Sequence, residues 1–226
     1  MESVRIAQQH SVAELEMAQF ELANARAERG DLPGAIALYA QTAELAQQAG
    51  DPNRRALALN NLAYHQMLLG QTAEAGAAID EALQLAETYG LTLAREYLYS
   101  TRGEVYLAEG RWDEAERWIN LSQAAAREHN NVAHEAKCRA NLGRVAQGRG
   151  DLDTALILLE EAAEMAAPLI ARFMQAQIDL WLVEVYRARG ERNAAAAALI
   201  RAEARLAGSH YQGLQDAAAR LRAALG

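Results

Sequence analysis

Written in rows of forty, the chain repeats one pattern of small, bulky apolar and polar positions five times. Gly30, Gly70, Gly110, Gly150 and Gly190 stand in one column. Five residues on come Ala35, Ala75, Ala115, Ala155 and Ala195, and four further the bulky Tyr39, Ile79, Ile119, Leu159 and Leu199. Three more on, Thr42, Ala82, Ser122, Ala162 and Ala202 are again small, as are four of Ala23, Ala63, Gly103, Gly143 and Val183, seven residues before each glycine. Columns that keep register in this way define an internal repeat, which outranks every other organising signal. Between the glycines the apolar spacing is helical, and Val, Ile and Thr are too sparse for strands. The pattern therefore predicts pairs of helices, with first helices near 12–29, 52–69, 92–109, 132–149 and 172–189. Second helices follow near 33–49, 73–89, 113–129, 153–167 and 193–207.

The turn chemistry agrees with these boundaries. A glycine just past a helix end takes the left-handed conformation that closes the last turn, and only two or three residues separate it from the next helix. The second helices end in the same way at Gly50, Gly90 and Asn130, asparagine being the usual substitute. Pro33 and Pro52 suit the first turn of a helix, the latter behind Asp51 as a cap. Pro168 and Ile170 break the pattern in the fourth row, where a different bend is expected. Small residues at Ala63 and Gly143, opposite Ala75 and Ala155, allow close approach of the two helices in a pair, while Ile79 and Leu159 fill the space to the next pair.

Both ends carry capping signals. Ser11 with Glu14 predicts the start of the first helix, and Ser209 with Gln212 predicts a last helix near 210–225. "IAQQ" at 6 to 9 echoes "LAQQ" at 45 to 48. Residues 1–10 are accordingly expected to be the tail of an earlier repeat, and the final helix half of a sixth. The expected organisation is one solenoid domain over 1–226, with repeats near 12–50, 51–90, 91–130, 131–170 and 171–208, cut from a longer protein.

Composition narrows the function. The 226 residues carry a formal net charge of -8, which gives no broad attraction to phosphate backbones, so no nucleic-acid contact is expected. Cys138 is the only cysteine, which rules out an intramolecular disulfide framework. No apolar run reaches the ~18 residues of a membrane helix, and "MESVRIAQQH" lacks the apolar core of a signal peptide; a cytoplasmic protein with no membrane contact is expected. Lys137 is the only lysine among 22 basic residues, which hints at a GC-rich bacterial genome.

Leu142-Gly143, Gly150, Ala155-x-x-x-Leu159 and Ala162 resemble the tetratricopeptide pattern, as do Trp112, Ala115 and Ile119. The repeat is about six residues longer than the usual ~34. Long repeats of this kind are similar to those of kinesin light chain, especially in "ALNNLAYHQMLLG" at 58–70, and to the sensor of maltose-regulator-type signal-transduction ATPases. The resemblance implies an all-α, right-handed superhelix of about five helix-turn-helix repeats plus a C-terminal helix, with the first helices lining a concave groove. It also implies a role as a sensor that receives an inducer and shifts an attached ATPase between states, or as a free-standing adaptor for an extended peptide. In such relatives an asparagine ladder on the first helices holds a peptide backbone. Asn61 and Asn141 stand at that position here, whereas Thr101 and Trp181 interrupt it.

Reading the groove-facing columns in order gives Phe20 and Asn24; Asn60, Tyr64 and Met67; Tyr97 and Glu104; Lys137 and Arg144; and Glu184. One half is apolar and aromatic, the other polar with a basic centre at Lys137 and Arg144, which suits a ligand with apolar anchors and a carboxylate or phosphate. Packing between helices is the competing role for Tyr64, Met67 and Leu107, as is ion pairing for the two cations and burial for Trp118. No motif for a catalytic nucleophile, a phosphate loop or a zinc protease is present, and no enzymatic activity or cofactor is expected. His129 and His134 flank a turn beside Glu128 and Glu135 without specific metal spacing. Cys138 reads as a small helix residue. The expected partners are a protein or peptide, with a small-molecule inducer as a further option.

Overall fold

A computed structural model describes residues 2–226, with side chains from Glu14 onward. Among the described residues every regular element is helical. The chain forms two compact units, Met1–Glu109 and Gly110–Gly226.

The first unit contains α1 (Glu2–Glu28), α2 (Leu32–Ala49), α3 (Pro52–Leu68), α4 (Thr72–Tyr89), a 3-10 turn (Thr92–Ala94) and α5 (Arg95–Ala108). Each helix packs on the next, and the first helices α3 and α5 also touch directly. The second unit contains α6 (Trp112–Glu128), α7 (Val132–Gly148), α8 (Leu152–Ala166), α9 (Arg172–Ala188), α10 (Arg192–Leu206) and α11 (Gln212–Leu225). Here α7 meets α9, and α9 meets α11, so α11 occupies the place of another first helix.

The columns become the packing. The small column Ala35, Ala75, Ala115, Ala155 and Ala195 is fully buried, and the bulky column Tyr39, Ile79, Ile119, Leu159 and Leu199 nearly so. Gly143 shows why the third column stays small: a Cβ there would lie 2.9 Å from Leu159 Cγ and 3.2 Å from the Ala155 carbonyl oxygen. The glycine column supplies the turns, with φ between 71° and 83° in all five rows. Asn130, at φ 54°, is the one positive-φ residue other than glycine among those described. Such a residue lets the next amide reach back past it, as when Asp151 N–H donates to the Ala146 carbonyl at 3.0 Å. Asp31, Asp51, Asn131 and Asp151 then cap the following helices by accepting the N–H three residues on, at 3.0–3.1 Å.

Three boundaries depart from the sequence pattern. α1 runs unbroken from Glu2, so the backbone is already helical at Ser11, whose side chain lies outside the described residues; no turn separates residues 2–10 from the first helix. In the third row the helix opens with the 3-10 turn, because Leu91 and Ala94 offer no side-chain cap. At the far end Tyr211, not Ser209, is the N-cap of α11. The Ser209 hydroxyl is buried without a partner, and Gln215 Nε2 instead donates to the Ser209 carbonyl at 3.0 Å. The irregular bend expected at Pro168 is present, held by Gln175 Nε2, which donates to the carbonyls of Ala166 and Leu169 at 2.7 and 3.1 Å.

Candidate functional site

In the first unit the columns chosen from sequence divide between packing and exposure. Phe20 stands edge-on to Tyr39, and Asn24 Oδ1 accepts the Tyr39 hydroxyl at 2.6 Å. Both residues thus brace α1 against α2, and burial pushes the Tyr39 phenol up to about 12. On α3, Asn60 Nδ2 donates to Asn61 Oδ1 at 3.2 Å, while Asn60 Oδ1 is buried without a partner. The adjacent Tyr64 is half-buried and edge-on to His65, and Met67 packs on the core. His65 stacks on Tyr39 at 5.1 Å and its Nδ1–H donates to the Asn61 carbonyl at 2.7 Å. Burial lowers its pKa below the usual histidine value. On α5, Tyr97 is exposed, whereas Glu104 is buried and accepts the Ser100 hydroxyl at 2.9 Å. Leu107 is core.

In the second unit Asn141, Arg144, Trp181 and Glu184 share the facing stretches of α7 and α9. The Arg144 guanidinium lies over the Trp181 ring, 4.8 Å from its centroid. That geometry favours a cation on the face of the indole. Asn141 is fully buried, and neither its Nδ2 nor its Oδ1 has a hydrogen-bond partner. Native interiors leave few such groups, so this carboxamide holds two strong hydrogen-bonding sites in reserve. Lys137, Trp181 and Glu184 are half-buried.

Several polar groups were not singled out from sequence. Gln19 Oε1 on α1 and Gln66 Oε1 on α3 are also buried and unpartnered, so first-helix carboxamides dominate the unsatisfied groups among the described residues. Their positions fall outside the ladder column, and only their residue type could have signalled them. On the other side of α9, Asp179 is buried and ion-paired with Arg201 at 2.9 Å and with Arg205. Asp179 had no signal, since that repeat position holds Gln19, Leu59, Tyr99 and Arg139 in the other rows.

No group of three or more His, Cys, Asp or Glu among the described residues is arranged to hold a metal. His134 Nε2 is 2.9 Å from the Ser122 hydroxyl, which also lies 3.2 Å from Cys138 Sγ, and Glu135 is paired with Arg127 at 2.6 Å. These residues join α6 to α7. Trp118 is half-buried on α6. No described helix is long and apolar enough to cross a membrane.

Comparison with known proteins agrees with this architecture. The tetratricopeptide repeat family profile matches residues 94–167. The regulatory protein AfsR of Streptomyces griseus is 33% identical over 118 residues, which is 52% of this chain and 12% of that protein. The chain thus spans about an eighth of the curated relative it matches. A Rap protein complexed with competence and sporulation factor superposes with a TM-score of 0.76 at 17% identity, covering 86% of this chain and 54% of that one. A signal-transduction ATPase with numerous domains and a tetratricopeptide sensor, from Pyrococcus horikoshii, gives 0.66 at 16% identity, covering 92% and 32%. A kinesin light chain-type protein with TPR-like repeats, from the fungus Podospora anserina, gives 0.59 at 21% identity, covering 84% and 94%. The profile match shows tetratricopeptide repeats at residues 94–167, the glycine and alanine columns continue in register on both sides of them, and the solved structures share the fold.

Proposed function

We propose that the chain is a protein-interaction module that holds an extended peptide of a partner protein against its first helices. The observation that carries this reading is the set of unsatisfied carboxamides on those helices, above all Asn141. An extended backbone presents N–H and C=O groups alternately, and a carboxamide can answer both at once. Asn60 and Asn61 would do so in the first unit, beside apolar contacts from Phe20, Tyr64, Met67 and Tyr97 and the acid Glu104. Asn141, covered in this structure, would do so in the second once the side chains over it move aside, with Lys137, Arg144, Trp181 and Glu184 supplying charge and one aromatic face nearby. Asn24, committed to Tyr39, contributes by holding that wall. A Rap protein of the same fold is complexed with competence and sporulation factor, which supports a bound partner on a scaffold of this kind.

Selection of displayed peptides against the full chain tests the reading. Bound sequences are expected to combine apolar residues with an acidic one. Asn61→Ala combined with Asn141→Ala should weaken the best of them roughly tenfold or more, since each hydrogen bond contributes about 0.5–1.5 kcal/mol net. A selection that enriches nothing, or an affinity untouched by the double variant, contradicts it.

The relationship to a regulatory protein favours a second reading, in which this module is the sensor of a larger cytoplasmic regulator with its own ATPase. That reading requires a nucleotide-binding domain encoded in the same frame, which sequencing the flanking gene would reveal or exclude.

A further inference from the structure

Within each unit a first helix is covered on one face by the second helix before it, and α6 on α7 shows how. Arg127 in the last turn of α6 pairs with Glu135 in the first turn of α7 at 2.6 Å. Midway, Ser122 Oγ lies 2.9 Å from His134 Nε2 and 3.2 Å from Cys138 Sγ. Asp113 in the first turn of α6 pairs with Arg149 at the end of α7. The two helices therefore run antiparallel. The same face meets the preceding second helix in other rows, where Arg102 pairs with Asp80 on α4 at 3.2 Å and Arg189 with Asp153 on α8. Ala58, Leu98, Cys138 and Ile178, which form one column of this face, are all buried.

On α1 the same face lies open. Ala18 stands in that column and is exposed, and beside it Leu15 and Leu22 are 51% and 48% exposed. Leu22 shares its column with Leu62, Leu142 and Leu182, which are buried or half-buried. An apolar stripe left open where its counterparts are covered marks an interaction surface. α1 is also helical through positions 10 and 11, the repeat places of the turns Gly50–Asp51, Gly90–Leu91 and Asn130–Asn131. Those turns let α2, α4 and α6 fold back onto the next first helix, and α1 has no such turn at that place.

The charges on α1 describe the cover it accepts. Glu14, Glu21 and Glu28 line one edge of the stripe at seven-residue spacing, all exposed and without an ion pair among the described residues. Their three columns hold no aspartate or glutamate in any later row. Past the stripe Arg29 is exposed, at the repeat position of Arg149 and Arg189, whose partners include acids in the first turn of the covering helix.

We propose that the open face of α1 is a docking surface for one amphipathic helix of a partner protein, lying antiparallel across Leu15, Ala18 and Leu22. That helix carries an acid in its first turn for Arg29 and basic side chains along the edge that meets Glu14, Glu21 and Glu28. The leucines supply the buried contact, while opposite charges along the rim fix direction and register. A second copy of this chain docked antiparallel would set the glutamate edge against itself, because a two-fold pair brings like edges together. The proposal makes no use of the first-helix carboxamides, so it and the peptide reading can fail separately.

The probe is a synthetic peptide of residues 110–131, the α6 sequence, carrying Ser122→Lys, since position 122 reaches the repeat positions of Glu14 and Ala18. Titrated into the full chain labelled with carbon-13 at Leu and Ala methyls, it should give saturable shifts at Leu15, Ala18 and Leu22. Glu14→Arg combined with Glu21→Arg, both at exposed positions, should weaken binding about tenfold. Leu22→Ser should abolish the saturable shifts without lowering the melting temperature. Absence of saturable shifts in the parent, or binding untouched by the charge reversal, overturns the proposal. A dimer mass that Leu22→Ser converts to monomer overturns it as well, by assigning the face to a second copy.

Discussion

Tyr39 and its neighbours show how single residues decide between packing and recognition. The column marked position 39 as bulky and apolar, and it is buried, but its hydroxyl reaches Asn24, which the same pattern had assigned to ligand contact. Spacing specifies which face of a helix a side chain leaves from, not how far its polar tip travels. Tyr39→Phe should therefore cost about 1 kcal/mol, read as a lower denaturant midpoint. His65 makes a second test. Its folded pKa lies below the unfolded value near 6.5, so the unfolded chain binds the extra proton first as pH falls. Its contribution to stability is complete above about pH 6.5 and is lost as pH falls from there through the folded pKa. Thermal melts at pH 7.5 and 5.5 should show a smaller loss in His65→Gln than in the parent; an equal loss would place the acid sensitivity elsewhere.

At the scale of elements, glycine has two separate jobs that the repeat distinguishes by position. Gly150 has φ 83° with nothing within 4 Å of an added Cβ, so Gly150→Ala should cost about 1–2 kcal/mol through the backbone alone. Gly143 is helical and crowded by Leu159 and Ala155. There overpacking of about 1–3 kcal/mol opposes a helix-propensity gain of about 1 kcal/mol. Gly143→Ala should lower the melting temperature, whereas Gly213→Ala, with open space around it, should not. Ala155→Leu, at the other side of the same contact, should also melt lower. Helix ends were legible wherever Gly, Asn, Asp or Pro stands in the turn, as at Gly50, Asp51 and Pro52. They were misread where a plausible serine was unused, at Ser209, because capping needs a backbone geometry that residue type alone does not impose.

At the scale of the whole molecule, repetition made the fold legible and the function much less so. Columns that recur describe what every helix pair shares, which is the core. Recognition depends on what differs between rows, such as Asn141 against Trp181, and a deviation from a pattern states no chemistry by itself. The Arg144–Trp181 contact illustrates this, since both residues stood out in the sequence but their pairing required the neighbouring first helices to be side by side. The boundary between the two compact units falls at Gly110, a member of a column that is glycine in all five rows, and left no mark in the pattern. The account's central claim is that first-helix carboxamides receive a peptide backbone. The most direct measurement is the NMR response of the side-chain amide groups of Asn60, Asn61 and Asn141 to a selected peptide. The account predicts saturable shifts of these signals at the affinity measured for the peptide; peptide binding that leaves all three unmoved would contradict it.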